Sequence, residues 1–291
     1  MFRDRLKYSP MKKWVLLLGL LLIIALVMLS AVLARIPVGD RVAVIKIKGV
    51  IVNPLPTVRK IEKLRKDRSV KALVIRVDSP GGSVGASQEI YRAIERFKET
   101  GKPVVVSMGN IAASGGYYVS APADYIFANP GTITGSIGVI IQHVAYRELM
   151  GKLGIKATSI KTGKFKDTLS PFRELTEEEK KYLKDTIEEA YEQFLKAILK
   201  YRREKIGEER LREVADGRVL TGEKAKELGL VDALGGLEDA VEKAKELAHV
   251  PEAREFFVPE EKSLLQRILG GEIEELKLIS SYSPLFYIAS F

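Results

Sequence analysis

The chain contains no cysteine and only two histidines among its 291 residues. The absence of cysteine excludes thiol catalysis, cysteine-ligated metals and disulfide bonds. His143 and His249 do not lie in motifs with acidic and glycine partners, so a Ser-His-Asp triad has little support. A serine nucleophile needs a group that takes its proton, and lysine is the base that remains.

The charge composition does not indicate a nucleic-acid partner. The formal net charge is +9, but residues 1–13 alone carry five basic residues and one acidic residue. The rest of the chain has neither an aromatic-and-basic cluster nor zinc-finger spacing. A content of 46% hydrophobic and 29% charged residues is typical of a folded protein of one or two domains.

A run of 21 uncharged residues extends from Trp14 to Ala34. As a helix it is about 31 Å long, enough to cross the hydrocarbon core of a bilayer. The basic residues before it predict a cytoplasmic N-terminus (1–13), a transmembrane anchor (14–34) and a catalytic domain outside the cytoplasm. A cleaved signal peptide ending at residues 32–34 is the alternative, but the length of the run favours an uncleaved single-pass anchor in the cell membrane.

After a short linker (35–40), strand-like and helix-like segments alternate. Strands separated by crossover helices predict a parallel sheet covered on both faces, within one α/β domain at 41–260 followed by a C-terminal tail at 261–291. A capping-box pattern at 176–179 opens the longest predicted helix. The predicted strands are 42–47, 72–77, 104–107, 125–128 and 158–160, and the predicted helices are 57–67, 86–99, 176–205, 222–228 and 237–248.

Ser114 lies in a run of small residues, Ala-Ala-Ser-Gly-Gly, between a predicted strand and an apolar helix. Small neighbours allow a substrate backbone to approach, and the first amides of a helix can stabilise an oxyanion. Alternatively, the sole role of Ser114 could be to cap the helix, and the two glycines after it could serve close packing. The motif alone does not decide between these interpretations.

A second small-residue turn, Pro80-Gly81-Gly82, follows the preceding strand. Ligands of open parallel sheets gather at the carboxyl ends of the strands. The glycine amides could face a substrate carbonyl, although a tight turn would also explain them. Two such turns at the ends of successive strands are stronger evidence for a functional site than either turn alone.

Three lysines, Lys161, Lys164 and Lys166, follow the predicted strand at 158–160. A lysine is a base only in its neutral form, which burial in apolar surroundings favours. Such a base therefore requires a dry, closed site. Spacing alone does not choose among the three lysines, and a solvated lysine is the simpler interpretation.

Four motifs together resemble the signal peptide peptidase A family of membrane-anchored Ser/Lys-dyad proteases. They are Asp-Ser-Pro-Gly-Gly at 78–82, Ala-Ser-Gly-Gly-Tyr-Tyr at 113–118, Thr-Gly-Ser-Ile-Gly-Val at 134–139 and Gly-Lys-Phe-Lys-Asp at 163–167. The resemblance covers residues 42–248, and the four motifs occur in the same order as in the family. It implies the α/β fold of the Clp protease and crotonase superfamily, with repeated ββα units and a parallel sheet, preceded here by one transmembrane helix.

The resemblance also implies the roles of individual residues. Ser114 would be the nucleophile, Lys166 rather than Lys164 the general base, and Ser136 a hydrogen-bonding partner of that lysine. The oxyanion hole would be formed by the Gly81-Gly82 turn and by Gly115. No metal and no organic cofactor is implied.

The substrates that the resemblance implies are remnant signal peptides and other apolar peptides near the membrane. The chain is similar to the short form of the family, so a ring-like homo-oligomer, octameric in close relatives, is expected. The competing functions are a crotonase-type acyl-CoA enzyme and a catalytically silent membrane scaffold. The apolar end of the tail, residues 282–291, either packs on its own domain or a partner, or occupies a neighbouring protomer's substrate groove.

Overall fold

The structure is a computed structural model that describes residues 10–33, 39–259 and 286–288. The chain divides between Gly39 and Asp40 into two compact units. Most of the predicted N-terminal segment (1–13), linker (35–40) and tail (261–291) lies outside the described residues.

The first unit contains one helix, α1 (Pro10–Leu33). Its side chains are described at Trp14 and at residues 17–28, and all of these are exposed. Within the described part of the chain, no helix is long and apolar enough to cross a membrane.

The second unit is built around a mixed, largely parallel sheet. Its strands are β1 (Arg41–Lys48), β2 (Val70–Ser79), β3 (Gly81–Ser83), β4 (Val104–Ala113), β5 (Tyr125–Ala128), β6 (Ile133–Gly135), β7 (Val219–Thr221), β8 (Ala233–Leu234), β9 (Arg254–Phe257) and β10 (Phe286–Ile288). Its helices are α2 (Leu55–Lys66), α3 (Val84–Lys98), α4 (Gly115–Ser120), α5 (Arg147–Lys152), α6 (Glu177–Ile206), α7 (Glu208–Val214), α8 (Gly222–Glu227) and α9 (Leu237–Leu247).

The strand order of the main sheet is β7-β6-β4-β2-β1-β9, with β5 paired to β4 and β8 paired to β5. Every one of these pairs is parallel except β6 with β7. Along one edge β4 changes its neighbour: Val105 to Ser107 pair with β5, and Ile111 to Ala113 pair with β6. The partner of β4 at its end is therefore β6 and not β5, and this pairing extends to Ala113, directly before Ser114. The predicted α/β class with a largely parallel sheet is therefore confirmed.

The central strands are apolar because both of their faces are covered. Successive residues of β1 and β2 alternate between two hydrophobic clusters. Helices α2, α3, α4 and α6 cover one face, with Ile61, Phe97, Tyr117 and Phe194 in the larger cluster. Helix α9 covers the other face with Ala240, Val241 and Ala244.

The sequence prediction was wrong at residues 158–160, where the structure has no strand. Ile160 is 99% exposed, so its β-branched side chain finds neither a neighbouring strand nor a core to pack on. Strand β4 is also longer than predicted, because it continues through residues 108–113 and ends directly before Ser114.

A buried ion pair attaches α6 to the loop after α8. Arg202 donates to Asp232 at 2.7 Å, and their side chains are only 1% and 7% exposed. Burial by itself would raise the pKa of Asp232, but hydrogen bonds from Arg202 and Lys205 bring that pKa below its usual value. The neighbouring Leu230 carbonyl accepts from the Tyr117 hydroxyl at 2.9 Å, which fixes α4 to the same loop.

We expect Asp232→Ala to lower the free energy of unfolding by about 3–5 kcal/mol at pH 7, because Arg202 is then left buried without its partner. Urea unfolding followed by circular dichroism measures this change. Since the pKa of Asp232 is lowered in the folded state, its contribution is present above about pH 4 and is lost as the pH falls further. The matched control is Asp40→Ala, whose exposed pair with Lys71 at 3.4 Å contributes about 0–1 kcal/mol. Equal losses in the two variants would contradict the prediction.

Candidate active site

Ser114 is the single residue between β4 and α4, and its backbone is strained. Its φ of 53° and ψ of −114° are rarely adopted by a residue with a side chain. The Ser114 amide donates to the Gly135 carbonyl at 2.8 Å, and the Ser114 carbonyl accepts from the Tyr118 amide at 2.8 Å. These two bonds hold the serine between the end of the sheet and the first turn of the helix.

The Ser114 side chain is 1% exposed and its Oγ has no hydrogen-bond partner within the described residues. It does not cap α4, so the structure does not support the interpretation of Ser114 as a helix cap. A buried hydroxyl without a partner costs about 1–3 kcal/mol of desolvation. Such an arrangement leaves the hydroxyl free to bond a reacting group.

Glycines bring the neighbouring backbone close to Ser114. A Cβ at Gly116 would lie 2.6 Å from the Ser79 carbonyl oxygen, and a Cβ at Gly82 would lie 2.0 Å from the Ile51 carbonyl oxygen. Both positions therefore require glycine. Helix α4 packs against β3, so the turn that contains Gly81 and Gly82 adjoins the helix that begins at Gly115.

Strand β3 is paired on two sides. Gly82 bridges to Ile51 in parallel, and β10 pairs with β3 in antiparallel register, with Tyr287 opposite Gly82. The described end of the C-terminal tail thus lies on its own chain's β3. This edge of the site accepts an extended backbone segment.

Ser136 directly follows Gly135, the residue that bonds the Ser114 amide. It is 7% exposed, has a φ of 49°, and its amide donates to the Arg218 carbonyl at 2.8 Å. A cavity of about 320 Å³ borders it. The cavity is lined by Ser136, Gly138, Val139, Ile140, Ile187, Glu188, Tyr191, Ala215, Asp216 and Gly217.

Lys166 lies in a turn of the segment between β6 and α6, and it is exposed. Its ammonium makes no hydrogen bond or ion pair with any described residue, and therefore none with Ser114. The other two lysines are engaged: Lys161 pairs with Asp167, and Lys164 pairs with Glu178. The structure brings the serine and the glycine turns together, but it does not close a Ser114–Lys166 bond.

The sequence analysis missed an ionic cluster beside Lys166. Arg173 joins Asp167, the residue after the lysine, to Glu179 in the first turn of α6. The capping-box pattern at 176–179 was the available signal for Glu179. Arg173 lies in a segment without periodicity, and no sequence pattern marked it.

Within the described ranges, no group of three or more histidine, aspartate or glutamate side chains could hold a metal ion.

Comparisons with known proteins identify relatives of this chain. The family model described as Peptidase family S49 matches residues 96–251. A provisionally named protease of Synechocystis is 42% identical over 235 residues, covering 80% of this chain and 84% of that protein. A provisionally named protease of Methanocaldococcus jannaschii is 47% identical over 206 residues, covering 70% of this chain and 65% of that protein.

A serine protease of Arabidopsis thaliana, named SPPA and chloroplastic, is 37% identical over 251 residues. That match covers 85% of this chain but only 36% of the Arabidopsis protein. A solved structure of a membrane-bound stomatin-specific protease covers 77% of this chain at 18% identity, with a TM-score of 0.49, which is too low to support an inference.

The family model spans more than half of the chain, and relatives at 37–47% identity are named as proteases. The chain therefore belongs to peptidase family S49, as a protease of the signal peptide peptidase A type.

Proposed function

We propose that this protein is a membrane-bound serine endopeptidase that hydrolyses remnant signal peptides and other apolar peptides with a Ser114/Lys166 dyad. The observation that carries the proposal is the state of Ser114. It is buried and strained at a strand-to-helix turn, and its hydroxyl has no hydrogen-bond partner among the described residues. Strained backbone and an unpartnered hydroxyl are typical of functional positions.

In the proposed mechanism the neutral amine of Lys166 takes the proton of the Ser114 hydroxyl. The alkoxide attacks the carbonyl carbon of the peptide bond, and the tetrahedral intermediate carries its charge on the former carbonyl oxygen. The lysine then gives its proton to the leaving amine as the C–N bond breaks. Lys166 then deprotonates a water molecule that attacks the acyl carbon, and it returns this proton to Ser114 Oγ as the acyl C–O bond breaks.

Backbone amides would stabilise the oxyanion. The Gly115 amide is at the start of α4, where the first amides have no partner inside the helix. The Gly81-Gly82 turn lies against the same helix. Removal of one such donor typically costs about a hundredfold to a thousandfold in rate.

Ion pairing favours Lys166 among the three lysines. Lys161 and Lys164 are paired with carboxylates, so their ammonium groups are already engaged. Lys166 has no such partner among the described residues. Because Lys166 is exposed, the catalytic form requires its side chain to be directed toward Ser136 and Ser114 and shielded from water.

The pairing of β10 with β3 supports a peptide substrate. An extended chain segment lies antiparallel along β3, next to the helix that begins after Ser114. Backbone pairing of this kind is how peptides add to an exposed strand. A crotonase-type acyl-CoA enzyme has no use for a strand-binding edge at this position.

We expect Ser114→Ala and Lys166→Ala each to lower the hydrolysis of a quenched apolar peptide by at least about a thousandfold, because each removes one half of the dyad. Lys164→Ala, two residues from the base, is the matched control and should retain activity within about twofold. The measurement is the initial rate of the purified full chain in detergent, with circular dichroism to check folding.

Full activity of folded Lys166→Ala would refute the dyad. Turnover of an acyl-CoA thioester without peptide hydrolysis would favour the crotonase-type enzyme. Inactivity of the unmodified protein toward both substrates would favour the silent scaffold.

We further propose a homo-oligomer, octameric by resemblance, in which a neighbouring copy covers the segment at 144–172. This segment exposes many large apolar side chains beside Lys166, which water would otherwise surround. They are Val144, Tyr146, Leu149, Leu153, Ile155, Ile160, Phe165 and Phe172.

The double variant Leu153→Asp/Ile160→Asp should therefore dissociate the oligomer and lower kcat at least tenfold, because the buried charges oppose assembly and Lys166 stays in water. Sedimentation velocity in detergent measures the assembly. Leu55→Asp, an exposed apolar position on α2, is the control and should change neither quantity. A monomeric unmodified protein with full activity would contradict the proposal.

We also propose that residues 14–34 anchor the protein, with the N-terminus cytoplasmic and the catalytic domain outside. The support is the uncharged run and the basic residues that precede it. Within the described residues the structure offers no spanning helix, so this proposal depends on the sequence.

The cysteine-free chain makes the topology directly testable. A cysteine at exposed Lys226 (Lys226→Cys) should react with a membrane-impermeant maleimide in intact spheroplasts. A cysteine at Arg3 (Arg3→Cys) should react only after permeabilisation. Labelling of both in intact spheroplasts, or the reverse pattern, would contradict the proposed orientation.

A further inference from the structure

The segment that contains Lys166 has little regular structure of its own. Between β6 and α6 the only described helix is α5, and the Lys166 turn has only local backbone bonds. The Lys166 amide donates to the Gly163 carbonyl at 3.2 Å, and the Thr168 amide donates to the Phe165 carbonyl at 3.3 Å. Neither bond attaches the turn to the sheet. Side chains must therefore hold the turn in place.

Arg173 supplies that attachment. Its guanidinium donates from Nη2 to Asp167 Oδ1 at 2.7 Å and from Nε to Asp167 Oδ2 at 3.1 Å. It also donates to the Asp167 backbone carbonyl at 3.0 Å and, from Nη1, to Glu179 Oε2 at 2.8 Å. A planar guanidinium that binds two carboxylates fixes their relative orientation, which a single ammonium cannot do.

Glu179 connects this arrangement to a rigid helix. Its side chain is only 4% exposed, and it forms a capping box with Thr176 at the start of the 30-residue α6. It also accepts from the Thr168 hydroxyl at 3.2 Å, so α6 is bonded to the turn at a second point. Further along, α6 is anchored in the core by Phe194 and Ile198.

Both carboxylates stay ionised at neutral pH. Hydrogen bonds from Arg173 lower the pKa of Glu179 to about 2, and they hold the pKa of Asp167 well below its usual range. The bonds of the cluster are therefore intact over the pH range in which a serine peptidase of this kind would act.

We propose that Arg173, with Asp167 and Glu179, is a positioning clamp that fixes the backbone of Lys166 to the first turn of α6 so that its amine can reach Ser114. The inference rests on the proposed Ser114/Lys166 peptidase and adds positioning residues to it. The three clamp residues do not touch substrate. They set where the base is held, and displacement of a catalytic group by about 1 Å can cost a hundredfold in rate.

The test compares Arg173→Leu with Arg173→Lys in the full-length protein in detergent. Arg173→Leu should lower kcat at least tenfold and leave KM within about twofold, because the base is displaced while the peptide-binding strand is unchanged. Arg173→Lys keeps one charge but not the planar fork, and should recover an intermediate kcat. The single-turnover rate of Ser114 acylation by an activated ester should fall in parallel with kcat.

The matched control is Arg212→Leu. Arg212 also joins two carboxylates, donating to Glu192 at 2.6 Å and Glu208 at 3.1 Å, but it lies on α7 away from the Lys166 turn. It should retain kcat within about twofold. A second variant, Asp167→Asn, leaves the Arg173–Glu179 pair and the capping box in place and should lower kcat at least threefold, so the test does not depend on the folding of Arg173→Leu.

The outcomes distinguish failure of the clamp from failure of the peptidase. If unmodified protein cleaves peptide, Ser114→Ala does not, and the clamp variants match Arg212→Leu in kcat, the clamp is refuted and the peptidase stands. If unmodified protein shows no Ser114-dependent hydrolysis, the proposed function fails and the clamp fails with it. A rise in KM at unchanged kcat would also refute the clamp, because it would place Arg173 in substrate binding.

Discussion

The strained turn at Ser114 is the constraint on which the site depends. Its φ of 53° is maintained because β4 pairs with β6 up to Ala113, and because the Ser114 amide is bonded to the Gly135 carbonyl at the end of β6. The helix that follows is pressed against the end of β2 so closely that Gly116 has no room for a side chain. Sheet, turn and helix thus determine one another, and they leave the serine hydroxyl buried with no partner in the part of the chain that the structure describes.

The molecule supports the two halves of the proposed dyad in different ways. Ser114 belongs to the sheet and its covering helices, where hydrophobic burial on both faces gives a rigid frame. Lys166 belongs to a segment with one short helix, exposed apolar side chains and an ionic attachment to α6. The proposed nucleophile therefore lies on a rigid frame, whereas the proposed base lies on a segment that Arg173 attaches to α6.

Much of this arrangement was predictable from local patterns. Apolar runs predicted β1, β2, β4 and β5, helical patterns predicted α2, α3, α6, α8 and α9, and a capping-box pattern marked the start of α6. The small-residue turns at Gly81 and Ser114 were recognised as neighbours because parallel strands end at one edge. The strand at 158–160 was wrong since β propensity without a pairing partner does not make a strand. Short strands such as β7 and β9 were missed because two to four residues carry no usable period.

By itself the sequence determined the fold class and the candidate nucleophile, excluded cysteine chemistry and gave little support to a histidine triad, since these follow from composition, local periodicity and short motifs. Only the tertiary structure decided that Ser114 is strained and does not cap α4, that Lys161 and Lys164 are ion-paired while Lys166 pairs with no described residue, and that Arg173 links Asp167 to Glu179. These are contacts between side chains and backbone groups that the fold brings together. Their energies depend on burial and distance, which no local pattern encodes.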